Sequence, residues 1–224
     1  MNGKLYGVSV GPGDPELVTL KAVRIIEKCG VIAAPVTQGE KRAALSIAES
    51  VCDISQKKVL DLPFAMSRDA RVLAEAHNAA AELIIPYLSE GIDVAFVCIG
   101  DISVYSTFSY IARLVKERGF DIEIIPGVTS FCAAAAVVGK PLVTGTEPLI
   151  VIPAGIDGAE FEKLSSLDGT KILMKSGKSL SETVEKLQGR TGFAVENIGY
   201  PEQKIFGSLD EIEEAGYFTT VIFK

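Results

Sequence analysis

The 224-residue chain contains no tryptophan, one histidine, three methionines and four cysteines. The four cysteines lie far apart and form no C-x-x-C pair: Cys29, Cys52, Cys98 and Cys132. This spacing excludes the usual zinc and redox motifs and predicts reduced, partly buried thiols in a cytoplasmic protein. We therefore expect no metal site.

The chain also lacks a long hydrophobic run and an excess of positive charge. Its longest apolar stretches, such as residues 93–100, are too short to span a bilayer. The first ten residues lack the apolar core and cleavage site of a secretory signal. A net charge of −7 argues against broad nucleic-acid binding. We expect a cytoplasmic protein with neither a membrane nor a nucleic acid as partner.

Apolar runs alternate with amphipathic segments along the whole chain, which is typical of an α/β protein. The nearly continuous apolar run 93–99 predicts a parallel strand that is covered on both faces. Asp14 and Pro15 predict the start of a helix directly after the first strand. The longest predicted helix, 67–91, contains Pro86, where we expect a kink.

The chain is long enough for two modest domains or one large domain with a sizeable core. We place a boundary near Gly127, after which the alternation continues in shorter units. The predicted domains are residues 1–127 and 128–224.

The first turn, in residues 8–22 (VSVGPGDPELVTLKA), contains the glycine pair of a dinucleotide-binding loop but departs from the rest of that motif. Gly11 and Gly13 give G-x-G, whereas Glu16 stands where a third glycine belongs. Its carboxylate opposes a pyrophosphate at the helix start. Pro12 makes the loop rigid and removes one amide donor. A tight connection without a ligand is an equally good interpretation of this turn alone.

Two further turns, 99–107 and 125–131, also follow apolar strands and combine a glycine with polar residues. Ligands of open α/β sheets bind beyond the carboxyl ends of the strands. The turns supply a carboxylate, Asp101, and two hydroxyls, Thr129 and Ser130, which suit a cationic, zwitterionic small molecule better than a phosphate. Each of these side chains has an alternative role, as a turn former or a helix cap.

Three segments of the chain resemble, in order, the signature regions of the tetrapyrrole (corrin/porphyrin) methyltransferases: GVSVGPGDPELVTLKAVRII, VAFVCIGDISVYSTFSYI and IEIIPGVTSFCAAAAVVGKPL. These enzymes use S-adenosyl-L-methionine to methylate carbon atoms of cobalamin precursors. The YSTF stretch, the long helix before it and PGVTSF are similar to the precorrin-2 C20-methyltransferase branch, which includes the cobalt-factor II enzymes. The resemblance covers essentially the whole chain and is strongest from Leu5 to Leu142.

The resemblance implies two α/β domains with a cofactor cleft between them, S-adenosyl-L-methionine as methyl donor, and a homodimer. It implies a tetrapyrrole substrate, either precorrin-2 or cobalt-factor II. The residues that it places at the cofactor are Pro12, Gly100, Asp101, Val104, Thr129 and Ser130, with Met174 or Lys175 from the second domain. Methyl transfer from a sulfonium needs no protein nucleophile, and we assign no catalytic base.

One residue departs from the family pattern. The family usually has Gly-Asp-Pro in the second turn, whereas this chain has Ile102 in the proline position. The loss of proline affects the rigidity of the loop, while its backbone contacts survive.

The substrate carries many carboxylates, for which basic side chains are candidate partners. The candidates are Arg42, Arg68, Arg71, Arg113 and Lys140, although most basic residues are simply solvated. The only histidine, His77, is interpreted as an interior or groove residue. Three alternatives stay open: a tetrapyrrole methylase for another ring carbon, a nicotinamide-dependent oxidoreductase, and a tetrapyrrole carrier without activity.

Overall fold

The computed structural model describes residues 1–36, 42–64, 67, 69–153, 155–174, 187, 189–212 and 216–224. The chain divides into two compact units, Met1–Thr129 and Ser130–Lys224. Each unit contains its own five-stranded sheet and helices, which confirms the predicted α/β fold class. Within the described ranges, no helix is both long and apolar enough to cross a membrane.

The first unit is built on a parallel sheet with the strand order β3-β2-β4-β1-β5. Its strands are β1 (Lys4–Ser9), β2 (Val31–Val36), β3 (Lys58–Pro63), β4 (Val94–Cys98) and β5 (Asp121–Ile125). Its α-helices are α1 (Leu20–Lys28), α2 (Ala43–Val51), α3 (Ala70–Ser89) and α4 (Phe108–Glu117). The register sets Leu5 of β1 beside Val94 of β4 and beside Ile122 of β5.

The central strands of this sheet are covered on both faces. Residues 94–97 of β4 are completely buried, as the continuous apolar run predicts. Phe108, the first residue of α4, packs its ring 5.3 Å from that of Phe96 and lies against Gly7 of β1. A β-carbon on Gly7 would come within 2.5 Å of the Phe108 ring, so only glycine lets helix and strand approach this closely.

The predicted start of the first helix is wrong. Asp14 accepts the amide proton of Glu16, but it caps a single 3-10 turn, Pro15–Leu17. The α-helix begins at Leu20, where the Thr19 hydroxyl accepts the amide proton of Ala22. A cap followed by proline signals a helical turn without fixing how far that turn continues.

His77 is an interior residue, 8% exposed, in the contact between α3 and α4. Its ring stacks on that of Tyr110, with 4.6 Å between centroids, and meets Phe64 at 6.1 Å. Burial and the nearby Arg113 guanidinium lower the pKa of His77. The folded protein therefore favours the neutral ring.

This pKa shift predicts a pH dependence of stability. An unfolded histidine takes up a proton near pH 6.5, whereas His77 in the fold does so only at lower pH, so protonation favours unfolding. We expect the stability of the wild type to fall between about pH 7 and pH 5, and His77→Phe, which keeps an aromatic ring, to remove that part of the loss. Since His77 is the only histidine, urea unfolding at several pH values isolates it. Parallel profiles for the two proteins would contradict the prediction.

The second unit has a mixed sheet with the order β6-β7-β10-β8-β9. Its strands are β6 (Leu149–Pro153), β7 (Thr170–Met174), β8 (Gly192–Glu196), β9 (Lys204–Phe206) and β10 (Thr219–Phe223), and its helices are α5 (Ser130–Val138) and α6 (Gly158–Ser165). Strands β6 and β7 are parallel, and the other pairs are antiparallel. The short strand β9 has no counterpart in the sequence prediction.

None of the four cysteines forms a disulfide. Cys29 and Cys52 are buried, Cys98 is half-buried and Cys132 is exposed. Burial raises the pKa of the Cys29 thiol to about 12 and also raises that of Cys52. These two thiols are therefore packing groups with little nucleophilic character at neutral pH.

Candidate functional site

The three turns singled out by the sequence follow β1, β4 and β5, which are neighbours in the first sheet. Because the strands are parallel, their carboxyl ends share one edge of the sheet, and the turns lie together there. From β1 the chain crosses towards β2, whereas from β4 it crosses in the opposite direction to β5. The carboxyl ends of β1 and β4 thus form the topological switch point, the place at which α/β sheets bind ligands.

The first and second turns are joined by their backbones. The amide of Gly100 donates to the carbonyl of Gly11 at 2.7 Å, and the amide of Val10 donates to the carbonyl of Cys98 at 2.9 Å. Gly11 and Gly100 have φ angles of +74° and +72°, in the left-handed region that favours glycine. A β-carbon on Gly100 would meet no atom within 4 Å, so the space beside this backbone is open.

Asp101 joins the second turn to the third. One carboxylate oxygen accepts the amide proton of Gly127 at 2.8 Å, and the other accepts the amide and hydroxyl protons of Ser103. Partial burial opposes ionisation, but the hydrogen bonds from Ser103 and Gly127 outweigh it and lower the pKa of Asp101. The carboxylate is therefore charged at neutral pH and already holds the loops in place.

The third turn approaches the end of β1 closely. A β-carbon on Gly127 would lie 2.5 Å from Cβ of Ser9 and 3.0 Å from the carbonyl oxygen of Gly100. A larger residue at this position would push the turn away from both neighbours. Gly127 is therefore a position where the packing of the three turns requires glycine.

Ser9 is a residue of this site that the sequence analysis missed. It ends β1, its side chain is completely buried, and its hydroxyl oxygen accepts the amide proton of Ile102 at 2.9 Å. A polar residue at the carboxyl end of a strand whose central residues are mostly apolar was the available signal. Its partner lies 93 positions away in the sequence, so the signal did not identify the bond.

Every charged residue in the short segments that directly follow β1, β4 and β5 is acidic. Residues 10–17, 99–107 and 125–129 contain three carboxylates, Asp14, Glu16 and Asp101, and no lysine, arginine or histidine. Together with the open backbone at Gly100, this set fits a ligand that carries positive charge, such as a sulfonium. It does not supply the positive groups that a diphosphate needs.

A dinucleotide is disfavoured by the local structure as well. The α-helix begins at Leu20, well after the glycine pair, so its amide dipoles do not start at the turn. Exposed Glu16 occupies the intervening 3-10 turn. The geometry therefore lacks the phosphate-binding helix start of a dinucleotide fold.

The structure places most of the predicted cofactor residues in the three turns: Pro12, Gly100, Asp101, Val104 and Thr129. Ser130 begins α5 of the second unit, where its hydroxyl accepts a proton from the Thr220 hydroxyl at 3.1 Å. Met174 ends β7 in the second unit and is half-buried. Lys175 lies outside the described residues.

The candidate substrate residues are spread over several elements. Arg42 pairs with Asp61 beside α2, and Arg113 lies 3.9 Å from Glu117 on α4. Arg71 is exposed on α3, and Lys140 lies over the Phe193 ring at 5.6 Å. Arg68 lies outside the described residues. Within those residues, no group of three or more His, Cys, Asp and Glu is arranged to hold a metal.

Comparison with known proteins adds a family and a fold. The family model described as Tetrapyrrole (Corrin/Porphyrin) Methylases matches residues 4–213. The chain is 37% identical over 229 residues to a probable cobalt-precorrin-2 C(20)-methyltransferase of Methanocaldococcus jannaschii, covering 99% of this chain and 96% of the relative. It is 28% identical over 235 residues to a precorrin-2 C(20)-methyltransferase of Sinorhizobium sp, covering 98% and 94%.

The fold is similar to that of uroporphyrin-III C-methyl transferase from Thermus thermophilus, a structure complexed with S-adenyl homocysteine. The TM-score is 0.74 at 19% identity, and the match covers 99% of this chain and 92% of that one. At this level of identity the likeness concerns the fold.

Proposed function

Because the chain belongs to the tetrapyrrole (corrin/porphyrin) methylase family, we propose that it transfers a methyl group to C20 of the precorrin-2 macrocycle in cobalamin biosynthesis. The observation that carries this proposal is the 37% identity to a probable cobalt-precorrin-2 C(20)-methyltransferase over nearly the full length of both chains. The relative named as a precorrin-2 C(20)-methyltransferase, without cobalt in its name, is less similar, at 28% identity. We therefore propose the cobalt-containing macrocycle as the substrate.

S-adenosyl-L-methionine is the proposed donor, and it supplies a methyl group already activated by a sulfonium. We propose that Pro12, Gly100, Asp101, Val104, Thr129 and Ser130 hold it, with Met174 or Lys175 contributing from the second unit. The open backbone at Gly100 and the three carboxylates of the turns support this assignment. Negative charge near the turns favours a cationic donor, and it favours the neutral product less.

The chain's contribution to such a reaction is chiefly positioning. No protein nucleophile is needed, so the turns serve to orient the donor and exclude water. Holding two reactants in line lowers the activation free energy of a bimolecular step by up to about 7–11 kcal/mol. The hydrogen bonds of Asp101 to Gly127 and Ser103 keep the second and third turns in a fixed arrangement for this task.

Anaerobic turnover tests the reaction and the metal state together. The protein is incubated with methyl-labelled donor and either precorrin-2 or its cobalt form, and the methylated carbon is located by NMR. We expect label at C20 and a higher kcat/KM for the cobalt form. Label at another ring carbon would identify a different methylase of the family, and substrate binding without turnover would identify a carrier.

A thermal-shift experiment tests the remaining alternative, a nicotinamide-dependent oxidoreductase. A ligand that binds the folded state stabilises it by RT ln(1 + [L]/Kd) and so raises Tm as its concentration exceeds Kd. We expect a rise in Tm with S-adenosylhomocysteine and none with NAD or NADP.

We further propose that the protein is a homodimer and that it acts in the cytoplasm. Light scattering on the purified protein would test the dimer.

Replacing Gly100 tests whether the second turn contacts the donor. Gly100→Ala forces an L-residue into the left-handed region, which costs about 1–2 kcal/mol, and fills the open space beside the backbone. Gly119→Ala is the matched control, because Gly119 has a φ of +85° and also faces open space, away from the turns. We expect similar losses of stability, but weaker binding of S-adenosylhomocysteine for Gly100→Ala alone. Equal affinity in the two variants would contradict the assignment.

A further inference from the structure

The hydrogen bond between Ser9 and Ile102 connects two features that have no evident relation in the sequence. The Ser9 hydroxyl is completely buried at the end of β1, and the Ile102 side chain is 2% exposed in the core of the first unit. The Ile102 amide donates to Ser9 Oγ at 2.9 Å, in buried surroundings. Ile102 also directly follows Gly100 and Asp101 in the second turn.

We propose that Ser9 is a positioning residue for the donor-binding turn, and that its hydrogen bond to the Ile102 amide constrains the backbone of that turn. The inference rests on the proposed function, because it assumes that the second turn holds the methyl donor. It assigns to Ser9 a role in ligand affinity beyond its part in the core.

The chemistry of the amide explains why a partner is needed. Proline fixes its own φ angle and has no N–H group, so a proline in this turn is stiff and leaves no donor to satisfy. Isoleucine brings a free φ angle and a buried N–H, and a buried donor without a partner loses its hydrogen bonds to water without replacement. Ser9 satisfies that donor and attaches the turn to the rigid end of β1.

The bond lies where it can control the site. Ile102 follows Gly100, which is joined to the first turn, and Asp101, which is joined to the third. The Ser9 bond is therefore the third attachment of the same short segment. Releasing it allows the backbone on either side of Asp101 to leave the arrangement in which the donor binds. The apparent affinity then falls in proportion to the fraction of molecules that keep this arrangement.

Calorimetric binding of S-adenosylhomocysteine tests the proposal under conditions where every variant is folded. We expect Ser9→Ala to weaken binding about 10-fold, the equivalent of one hydrogen bond. Ser165→Ala is the matched control. Ser165 is also a buried serine, 1% exposed, and its hydroxyl donates to a carbonyl within α6 of the second unit. A purely structural serine leaves affinity unchanged, so we expect no change for Ser165→Ala.

A double-mutant comparison separates the amide of Ile102 from its side chain. Ile102→Ala keeps the N–H group, so adding Ser9→Ala to it should again weaken binding about 10-fold. Ile102→Pro removes the N–H group, so adding Ser9→Ala to it should change affinity by less than about 2-fold. If Ile102→Pro does not fold, the Ile102→Ala pair still tests the role of Ser9, because unchanged affinity on adding Ser9→Ala would overturn it.

Each outcome has one meaning. If the wild type does not bind S-adenosylhomocysteine, the proposed function fails. If the wild type binds it and Ser9→Ala binds equally well, the proposed function stands and the role of Ser9 is overturned. Equal effects of Ser9→Ala in the Ile102→Pro and Ile102→Ala backgrounds would also overturn it, because they would show that the amide is not involved.

Discussion

Asp101→Ala is expected to reduce the affinity for S-adenosylhomocysteine by up to about 100-fold, which corresponds to about 2–3 kcal/mol. The substitution removes the acceptor of three protons, from the amide of Gly127 and from the amide and hydroxyl of Ser103. Hydrogen bonds to a charged group are the stronger ones in proteins. Without them the third turn is no longer attached to the second, and the donor must bind at the cost of restoring that arrangement.

The measurement is calorimetric titration, with kcat/KM for methyl transfer as the second readout. Asp157→Ala provides the control, because Asp157 likewise accepts two backbone amide protons, at Ala159 and Glu160, but does so at the start of α6 in the second unit. We expect it to affect stability and leave binding intact. Tight binding by Asp101→Ala would show that this carboxylate has no part in donor binding. The affinity of Asp101→Asn should lie between those of the wild type and Asp101→Ala.

Phe108→Ala is expected to destabilise the first unit by about 3–5 kcal/mol, the range for deleting a buried aromatic ring. Phe108 is 1% exposed, packs on Phe96 and fills the space over Gly7. It is also the first residue of α4, directly after the second turn. Its loss therefore leaves a cavity where the helix joins the sheet beneath the site.

Hydrogen exchange of individual amides measures this effect in the intact protein. We expect faster exchange in β1 and β4 and unchanged exchange in β8 and β10, which serve as the internal reference. Tyr110→Ala is the control variant on the same helix, because Tyr110 is 51% exposed although its ring stacks on that of His77. It should cost less than half as much. Uniform acceleration in both units would contradict the assignment of Phe108 to the first core.

The parallel sheet of the first unit could be predicted from the sequence because burial on both faces leaves a direct signal. The run at 94–97 is apolar at every position, and an uninterrupted run of this length between turns is typical of a strand covered on both faces. The grouping of the three turns followed from the same prediction, since parallel strands end at one edge. Hydrogen-bond partners and strand order, which depend on residues far apart in the sequence, could not be predicted from such local patterns.

Three such features illustrate the limit. Asp101 was assigned to a ligand or a turn, whereas its carboxylate also accepts from Gly127, 26 residues further on. Ser9 drew no attention because its partner is 93 residues away. The antiparallel pairing of the second sheet depends on β10 lying between β7 and β8, and no local pattern encodes strand order. In each case the partner is chosen by the tertiary fold.

The strand order of the second unit has a consequence for how the chain is made on the ribosome. All five strands of the first sheet are contained in residues 4–125, so that unit can assemble while translation continues. Within the described part of the second sheet, β10 (Thr219–Phe223) lies between β7 and β8 and pairs with both. Until those five residues join the sheet, the facing edges of β7 and β8 lack their strand partner, and unpaired strand edges are prone to aggregation.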